Sequence, residues 1–379
     1  MIYKAFQDLK LSGLGLGCMR LPVVDGNDSV IDVAAAKAMV RTAFDSGINY
    51  FDTAYGYHSG NSETVMGELL QAYPRDSFYL ATKFPGYDPA NWPHVREIFA
   101  EQLKKLQVEY FDFYLFHNVC EMNIDAYLDP KYGVYDYLME EKKAGRIRHL
   151  GFSSHGSLDV MKRFLAAYGK DMEFCQIQLN YLDWEFQNAR EKVELLASYN
   201  IPVWVMEPLR GGRLAKLGES ETAALKAMRP EETVPGWAFR FLQSVPGVTV
   251  VLSGMSNMEQ LQANIATYAE AQPLSEQEFA ALTGIAGDML KGGILPCTAC
   301  RYCTDHCPQE LPIPELMALY NEHKVTATYG MAFIAPMALS AYPAEKKPSA
   351  CLGCRSCETV CPQQIRISEM MADFASMLG

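Results

Sequence analysis

Long apolar segments are missing from this 379-residue sequence. No apolar run approaches the ~18 residues that a membrane-spanning helix needs. The first residues, Met1 to Asp8, lack the apolar core of a signal peptide. We therefore expect no membrane partner and a cytoplasmic location.

Clustered positive charge is also missing. Lys and Arg total 33 against 45 Asp and Glu, which gives a net charge of −12, and no cluster holds five or more basic residues. Nucleic-acid binders carry a basic patch or stripe that matches the phosphate backbone. We therefore expect no nucleic acid among the partners.

The glycine fingerprint of a dinucleotide-binding open sheet, G-x-G-x-x-G, does not follow the first strand candidate of the main series, Leu14 to Cys18. Seven further strand candidates alternate with helix-period segments. Parallel strands need right-handed, helix-length crossovers, so this alternation predicts an α/β fold of the (β/α)8 TIM barrel type, with a doubly wound open sheet as the alternative. The seven candidates are Ile48 to Ala54, Phe78 to Phe84, Tyr110 to His117, Ile147 to Ser153, Phe174 to Asn180, Val203 to Glu207 and Val248 to Gly254.

The chain exceeds the roughly 250 residues of an ordinary barrel by enough for a small second domain. The segment Gly287 to Pro296 is enriched in glycine and proline, so we predict a barrel over residues 1–290 and a second domain over 291–379. The second part holds two similar segments, displaced by 54 positions from Cys307 to Cys361. A helix candidate from Glu315 to Lys324 and the apolar segment Tyr329 to Leu339 make this domain mostly helical.

Eleven cysteines would indicate disulfides in a small secreted chain, but eight of them here form two runs with the spacing C-x2-C-x2-C-x3-C-P. Four thiolates also suit zinc, which is the alternative. The doubled run is far more specific for [4Fe–4S] clusters in a reducing compartment. The predicted ligands are Cys297, Cys300, Cys303, Cys307, Cys351, Cys354, Cys357 and Cys361.

Ionisable residues stand at the ends of three consecutive strand candidates. Asp52, with Tyr57 five residues on, ends one strand, Lys83 ends the next and His117 ends the third. Singly, such residues are more often helix caps, rim positions or core residues. Because the carboxyl ends of parallel strands meet at one face of a barrel, we predict that these four form a site.

The four residue types suit the reduction of a carbonyl group by a nicotinamide. This reaction needs a proton donor within ~3 Å of the carbonyl oxygen. A nearby ammonium favours a phenolate and lowers the pKa of a phenol. Tyr57 would then be the acid, Lys83 would tune it, Asp52 would pair with Lys83, and His117 would orient the carbonyl or share the proton.

The same four residues, in this order, resemble the catalytic tetrad of the aldo-keto reductases. The motif Asp-Thr-Ala, followed by Tyr-Gly and a downstream Glu, is highly specific for that family, and the resemblance covers roughly residues 3–270. It implies a barrel fold, the roles given above, a small-molecule carbonyl substrate and NADPH as the cofactor.

Further segments resemble the family's cofactor-binding segments. Gly151 to Ser154 resembles the strand end that, together with Gln176, binds the nicotinamide carboxamide. The loop Pro208 to Gly212 resembles the pyrophosphate loop, and the run Ser253 to Asn264 resembles the adenosine site. Two residues depart from the family, since Met206 replaces an aromatic residue and Glu207 a serine. Val248 to Asn264 contains no Lys or Arg for a 2′-phosphate, so NADH stays possible. The residues assigned to the cofactor are Ser153, Ser154, Gln176, Met206, Glu207, Leu209, Gly211, Ser256, Gln260 and Asn264.

The cysteine runs resemble those of two-cluster ferredoxins, in which the fourth cysteine of each run serves the other cluster. This resemblance implies two [4Fe–4S] clusters in a helical ferredoxin-like domain. One cluster would be held by Cys297, Cys300, Cys303 and Cys361, and the other by Cys351, Cys354, Cys357 and Cys307.

A second class of function remains open at this point. The chain could be an electron-transfer or redox-sensing protein that uses its barrel as a nicotinamide-binding platform and works with a redox partner protein. Hydride transfer moves two electrons and a [4Fe–4S] cluster moves one, and we find no flavin-binding sequence that would convert between them.

Overall fold

The computed structural model describes residues 1–120, 122–291, 294–328, 334–340 and 342–378. The chain divides into two compact units, Met1–Ala280 and Ala281–Gly379. The predicted division at residue 290 stays a prediction, because the helix Glu276–Lys291 runs through this region and the next two residues lie outside the described part. No helix of the described residues is long and apolar enough to cross a membrane.

The first unit is a closed barrel of eight parallel strands, as the sequence predicts. Around the barrel each strand pairs with its neighbours in chain order, and the last strand closes onto the first. The barrel strands are β3 (Leu14–Gly17), β4 (Tyr50–Asp52), β5 (Tyr79–Phe84), β6 (Phe111–Val119), β7 (Ile147–Ser154), β8 (Cys175–Gln178), β9 (Val203–Met206) and β10 (Val248–Ser253).

An antiparallel hairpin of β1 (Tyr3–Phe6) and β2 (Leu9–Ser12) precedes the barrel. Its Phe6 is buried and packs edge-on against Trp204 at 5.1 Å and at a tilt against Phe113 at 5.7 Å between ring centroids. These aromatic rings belong to the core cluster inside the barrel. The hairpin therefore contributes to the barrel's core through Phe6.

Helices alternate with the barrel strands, as the sequence pattern predicts. Several begin at a side-chain cap, such as Asp32, which accepts a hydrogen bond from the Ala35 amide at 2.9 Å. The helices of the barrel region are α1 (Val33–Asp45), α2 (Ser62–Leu70), α3 (Val95–Leu106), α4 (Ile124–Leu128), α5 (Val134–Lys143), α6 (Leu158–Tyr168), α7 (Asp183–Phe186), α8 (Ala189–Ser198), α9 (Glu219–Met228), α10 (Val234–Ser244), α11 (Met258–Thr267) and α12 (Glu276–Lys291).

The second unit is helical, as predicted. Helix α12 runs across the division at Ala281, and the helices after it are α13 (Ile313–Thr328), α14 (Ile334–Ser340), α15 (Ser356–Thr359) and α16 (Ile367–Leu378). Leu316, Met317, Met371 and Phe374 are fully buried in a core that α13 and α16 share. The predicted helix from Glu315 to Lys324 lies within α13. The first five residues of the apolar segment Tyr329 to Leu339 lie outside the described residues.

The two cysteine segments repeat in backbone conformation as well as in sequence. Left-handed φ angles recur at positions 54 residues apart, with nearly equal values. The pairs are Ala299 and Gly353 (56° and 66°), Arg301 and Arg355 (66° and 61°), and Glu310 and Gln364 (49° and 50°). Non-glycine residues rarely adopt such angles, so their recurrence marks one loop design used twice.

Candidate functional sites

Lys83 and Asp52 form a buried ion pair at the carboxyl ends of β5 and β4. The Lys83 ammonium donates to Asp52 Oδ1 at 2.6 Å and to the Thr53 carbonyl oxygen at 2.7 Å. Burial raises the pKa of the Asp52 carboxyl, and the charge and hydrogen bond of Lys83 oppose that shift. The pair fixes a cation at the site where the sequence predicts chemistry.

Tyr57 and His117 complete the predicted group of four. The Lys83 ammonium lies 5.1 Å from the centre of the Tyr57 ring, and the rings of Tyr57 and His117 are 6.0 Å apart at 80°. Tyr87 approaches His117 more closely, at 5.2 Å between ring centroids and 84°. Two phenol rings, those of Tyr57 and Tyr87, therefore contact one imidazole.

His117 is held in an environment that favours the neutral imidazole. Burial first, and then the charge of Lys83, lowers its pKa well below the ordinary value. Its backbone carbonyl accepts a hydrogen bond from the Tyr127 hydroxyl at 2.7 Å, which anchors this end of β6. A neutral imidazole can donate a hydrogen bond from one nitrogen and accept at the other.

Asn118 is a residue that the sequence analysis did not single out. The register of β6 against β7 shifts between Phe116 and Val119, and Asn118 in this bulge has a left-handed φ of 55°. Its amide nitrogen donates to Ser153 Oγ at 2.8 Å. Bulges often re-aim side chains next to active sites, and an asparagine directly after a strand-end histidine is the one local sign of this bulge.

The predicted carboxamide residues lie at the ends of the next two strands. Ser153 accepts the hydrogen bond from Asn118, while Ser154 donates to the Val119 carbonyl oxygen at 2.8 Å. Gln176 is buried, and its Oε1 makes no hydrogen bond within the described residues. Gln176 thus offers a polar atom to a ligand, whereas the Ser154 hydroxyl already bonds within the loop.

The loop after β9 has an unusual backbone. Met206 is partly buried, and Glu207 has a φ of 59° and a carboxyl whose pKa is raised, mainly by burial. After Leu209, Gly211 and Gly212 have φ angles of 67° and 93°. Glycine adopts such angles without strain, and the Gly212 amide donates to the Leu209 carbonyl oxygen at 3.0 Å, which closes the turn.

The buried residue Arg210 anchors this loop. Its Nε lies 3.1 Å from Asp183 Oδ2, and both side chains are fully buried. Asp183 also accepts from Gln178 and Asn180, both at 2.7 Å. Arg210 therefore holds the loop in place through its contact with Asp183 of α7, which is also bonded to β8. The sequence did not indicate this anchoring role.

The predicted adenosine residues belong to the loop after β10 and the first turns of α11. Ser256 and Gln260 are exposed, and the Ser256 amide donates to Gln260 Oε1 at 2.8 Å. Asn264 is buried and donates from Nδ2 to Ser253 Oγ at 3.1 Å. The first two residues are accessible to a ligand, and Asn264 ties the helix to the strand end.

Arg20 lies beside this loop, which contains no Lys or Arg of its own. It follows β3, and its side-chain carbons lie so close to Gly254 that a Cβ there would meet them at 3.1–3.2 Å. Its charge also opposes the raised pKa of the Glu207 carboxyl. The side chain is partly buried between the ends of β3, β9 and β10, and only the barrel's closure brings it there.

Three further aromatic residues of the strand-end loops take part in packing. Trp92 and Tyr127 are buried, with ring centroids 4.7 Å apart. Trp184 packs edge-on against Phe241 at 5.7 Å. Tyr127 contacts the backbone carbonyl oxygen of His117, whereas Tyr87 packs its ring against the imidazole.

The eight predicted cluster cysteines surround two pockets in the second unit, four to each. Each foursome combines three cysteines of one run with the fourth cysteine of the other, as the ferredoxin resemblance implies. Among the described residues, no three His, Cys, Asp or Glu side chains are arranged to hold a single metal ion. The first pocket is lined by Cys297, Cys300, Cys303 and Cys361, and the second by Cys307, Cys351, Cys354 and Cys357.

The surroundings of these thiols suit an iron–sulfur cluster. The backbone amides of Ala299 and Leu311 donate to the sulfurs of Cys297 and Cys307, each at 3.4 Å. Burial raises the pKa of Cys300 to about 12, with Cys361 and Cys297 adding to the shift. Amide hydrogen bonds to sulfur and limited solvent access are the usual means by which a protein tunes such a cluster.

Comparison with known protein families gives two matches. The model described as the aldo/keto reductase family matches residues 13–286, and the model described as a 4Fe-4S dicluster domain matches residues 296–365. Together they cover the parts of the chain that hold the strand-end site and the cysteine pockets.

Individual relatives match the barrel region. The uncharacterized oxidoreductase YqkF of Bacillus subtilis (strain 168) is 28% identical over 307 residues, which are 73% of this chain and 92% of that protein. The NADH-specific methylglyoxal reductase of Escherichia coli (strain K12) is 25% identical, over 68% of this chain and 90% of that protein. The holo form of the aldo-keto reductase AKR11C1 from Bacillus halodurans superimposes with a TM-score of 0.62 at 26% identity, over 75% of this chain and 96% of that one.

Proposed function

The chain belongs to the aldo/keto reductase family, and we propose that it reduces a small-molecule aldehyde or ketone with a reduced nicotinamide and Tyr57 as the general acid. The chain is an oxidoreductase with a 4Fe-4S domain. The finer assignment of roles and substrate class is our proposal. The observation that carries it is the buried Lys83–Asp52 pair, whose ammonium lies 5.1 Å from the Tyr57 ring centre.

The side chains of this site divide the work on the carbonyl oxygen. Tyr57 donates its phenolic proton to that oxygen, and the Lys83 cation stabilises the phenolate that remains. His117, kept neutral by burial, donates a hydrogen bond to the same oxygen and fixes its direction. Tyr57 is partly exposed, so solvent returns its proton after the product leaves.

The residues beyond the tetrad hold the nicotinamide cofactor, which supplies the hydride to the carbonyl carbon when bound. In this proposal Ser153 and Gln176 orient the carboxamide beside the tetrad, with Ser154 shaping that strand end. Met206 and Glu207 line the site, Leu209 and Gly211 lie on the loop over the pyrophosphate, and Ser256, Gln260 and Asn264 form the adenosine end.

We propose NADPH as the preferred form, because the side chain of Arg20 lies beside Gly254, at the start of the adenosine loop. A 2′-phosphate usually recruits such a cation. One relative is named as NADH-specific, so the preference needs a direct measurement.

The cysteine pockets hold two [4Fe–4S] clusters in this proposal, each with three ligands from one run and one from the other. The two parts would extend over residues 1–290 and 291–379. Clusters with accessible thiolates need a reducing compartment, and we accordingly place the protein in the cytoplasm.

The test is a panel of aldehydes and ketones assayed anaerobically with NADPH and NADH on the iron-loaded protein. We expect the nicotinamide to be oxidised only when a carbonyl compound is present, with one alcohol formed for each nicotinamide oxidised. No turnover with any carbonyl, although both nicotinamides bind, would refute the reductase assignment.

The exposed thiol of Cys354 favours a second candidate, an electron-transfer protein that uses the barrel as a nicotinamide platform and needs a redox partner protein. Anaerobic addition of NADPH or NADH without a carbonyl separates the two. Bleaching of the cluster absorbance would support electron transfer, whereas an unchanged spectrum would support the reductase.

A further inference from the structure

The downstream Glu of the sequence motif, Glu63, is fully buried. It stands in the first turn of α2, and its Oε2 lies 3.1 Å from the ammonium of Lys105 in α3. Acidic side chains are almost never fully buried unless they are paired, and burial of the pair is costly. The mechanism proposed above gives Glu63 no role, so its burial needs a separate explanation.

Two further side chains bond to the Glu63 carboxyl group. Its Oε1 accepts hydrogen bonds from Thr82 Oγ1 at 2.6 Å and from Gln102 Nε2 at 2.8 Å. Thr82 directly precedes Lys83 in β5, Gln102 belongs to α3, and both side chains are fully buried. Glu63 therefore links the start of α2 to the strand that carries Lys83.

Gln102 also bonds to the backbone of Lys83. Its Nε2 donates to the Lys83 carbonyl oxygen at 2.9 Å. Two residues earlier in β5, the Ala81 carbonyl oxygen accepts from the amide of Thr53, which directly follows β4. A strand of a parallel sheet bonds to one neighbour through alternate residues, and β4 has already ended where Lys83 would need it. Gln102 therefore supplies the partner that this buried carbonyl group requires.

Ser62, the residue before Glu63, ties the same end of α2 to the end of β4. Its hydroxyl oxygen lies 2.9 Å from Thr53 Oγ1. The carbonyl oxygen of Thr53 in turn accepts a hydrogen bond from the Lys83 ammonium. Tyr57 lies in the loop between β4 and α2. The first two residues of α2 therefore connect the loop that carries Tyr57 to the strand that carries Lys83.

From these contacts we propose that Glu63 and Gln102 are positioning residues, which hold Lys83 at its distance from Tyr57. The inference rests on the proposed reductase function and deepens it, because it assigns a role to residues outside the tetrad. The Lys83 ammonium lies 5.1 Å from the centre of the Tyr57 ring. A misplacement of about 1 Å at a reacting group can slow a reaction about 10²-fold, so small shifts of Lys83 matter.

The test compares variants of the full, iron-loaded chain in carbonyl reduction with NADPH. Gln102→Met keeps the length of the side chain and removes its donated hydrogen bonds. It should lower kcat about 10- to 100-fold and leave KM for the carbonyl and the affinity for NADPH nearly unchanged. The fall of kcat at alkaline pH should also move to higher pH, because a displaced ammonium favours the Tyr57 phenolate less. A loss of folded protein alone would not move this pH.

Tyr114→Phe is the matched control. The Tyr114 hydroxyl donates to Gln102 Oε1 at 2.6 Å, so its removal breaks a buried hydrogen bond of the same group without freeing the Lys83 carbonyl. This variant should lower the melting temperature, as Gln102→Met does, and leave kcat and its pH profile nearly unchanged. The inference would be overturned by an unchanged kcat in Gln102→Met, or by equal losses of kcat in both variants with the pH profile of the native enzyme.

Glu63 is tested by a conservative and a disruptive change. Glu63→Gln keeps an oxygen that accepts from Thr82 and Gln102 and should retain most of kcat, whereas Glu63→Met should behave like Gln102→Met. Equal kcat in the two Glu63 variants would overturn the role of Glu63. Absence of carbonyl turnover by the native chain would refute the proposed function and this inference with it. Native turnover with unaffected variants would refute only the inference.

Discussion

Arg20 and Gly254 illustrate how a functional contact arises between single residues that the sequence separates. The arginine follows the first barrel strand and the glycine follows the last, and the closed barrel puts them side by side. A side chain at position 254 would meet the Arg20 carbons, so the glycine leaves space for the arginine stem. We infer that the guanidinium serves the adenosine end of the cofactor.

Replacement of Arg20 by Gln should weaken NADPH binding about 10- to 100-fold, because a charged hydrogen bond to phosphate contributes about 1.5–3 kcal/mol. NADH binding should change little. Fluorescence titration with both nicotinamides measures the effect, and Arg41→Gln, on an exposed helix position, is the control. An equal loss for NADPH and NADH would instead place the contact at the pyrophosphate, and an unchanged NADPH affinity would exclude Arg20 from the site.

The neutral state of His117 predicts a specific pH dependence. Burial and the Lys83 charge lower its pKa, so the imidazole gains a proton only well below pH 6.5, the ordinary value. The kcat/KM of carbonyl reduction should therefore show no histidine ionisation around pH 6.5. His117→Gln should lower kcat/KM about 10²-fold and leave the shape of the profile unchanged.

This account would be contradicted if the pH profile of kcat/KM showed an ionisation near pH 6.5 in the native enzyme and not in His117→Gln. Such a result would mean that the protonated imidazole is the active form and that Lys83 does not prevent His117 from gaining a proton.

At the scale of elements, the end of β6 departs from a regular strand where the site requires it. The bulge at Asn118 has a left-handed backbone, which asparagine tolerates better than most residues. Its amide bonds to Ser153 and its carbonyl accepts from Asn123 Nδ2 at 2.8 Å, so the bulge is fixed on both sides. This geometry sets the direction in which His117 leaves the strand.

Asn118→Val should lower the free energy of unfolding by about 1–2 kcal/mol, because a β-branched residue is strained at this φ. It should also reduce kcat more than Asn118→Gly, which accepts the angle. Thermal unfolding and steady-state kinetics of the pair measure both effects. Equal stability and equal kcat of the two variants would show that the left-handed bulge does not position His117.

The strands and the tetrad were predictable from the sequence because both depend on local patterns. Apolar runs mark β4, β5 and β6, and Asp52, Lys83 and His117 stand directly at their ends. The bulge and the placement of Arg20 were not predictable in the same way. The first depends on the register between two strands, and the second depends on how β10 closes onto β3.

At the scale of the whole molecule, the repeat of 54 residues was visible as a sequence pattern, and the shared left-handed positions confirm it as one loop design. The exchange of the fourth cysteine followed from the ferredoxin resemblance. The different exposure of the two pockets could not be predicted, because it depends on which side chains the fold buries around each run.

Removal of the clusters should unfold the second part of the chain and leave the barrel intact. A small domain with eight uncompensated thiols is marginal without its metal, whereas the barrel has its own core. Chelator or oxygen treatment should abolish the iron–sulfur absorbance and make residues from 294 onward sensitive to protease, while nicotinamide binding persists. Cys354→Ser should cause part of the same loss of absorbance and resistance to protease. Cys175→Ala, which removes a barrel thiol outside both runs, is the control and should retain all iron.

Two results would contradict the prediction that only the second part depends on its clusters. One is protease resistance of the iron-free domain, and the other is loss of nicotinamide binding together with the iron. Zinc found in place of iron would make the domain a structural module and leave the reductase proposal unaffected.

The central claim is that Tyr57 donates the proton, and one comparison tests it most directly. Tyr57→Phe and Tyr87→Phe each remove the hydroxyl of a phenol whose ring contacts His117, and they change almost no volume. Single-turnover reduction of a carbonyl substrate is measured with NADPH bound. The account predicts that Tyr57→Phe keeps NADPH affinity within a few-fold and slows reduction about 10²–10⁴-fold, while Tyr87→Phe retains most of the rate. Full activity of Tyr57→Phe across a range of carbonyls, or a larger loss in Tyr87→Phe, would contradict the claim.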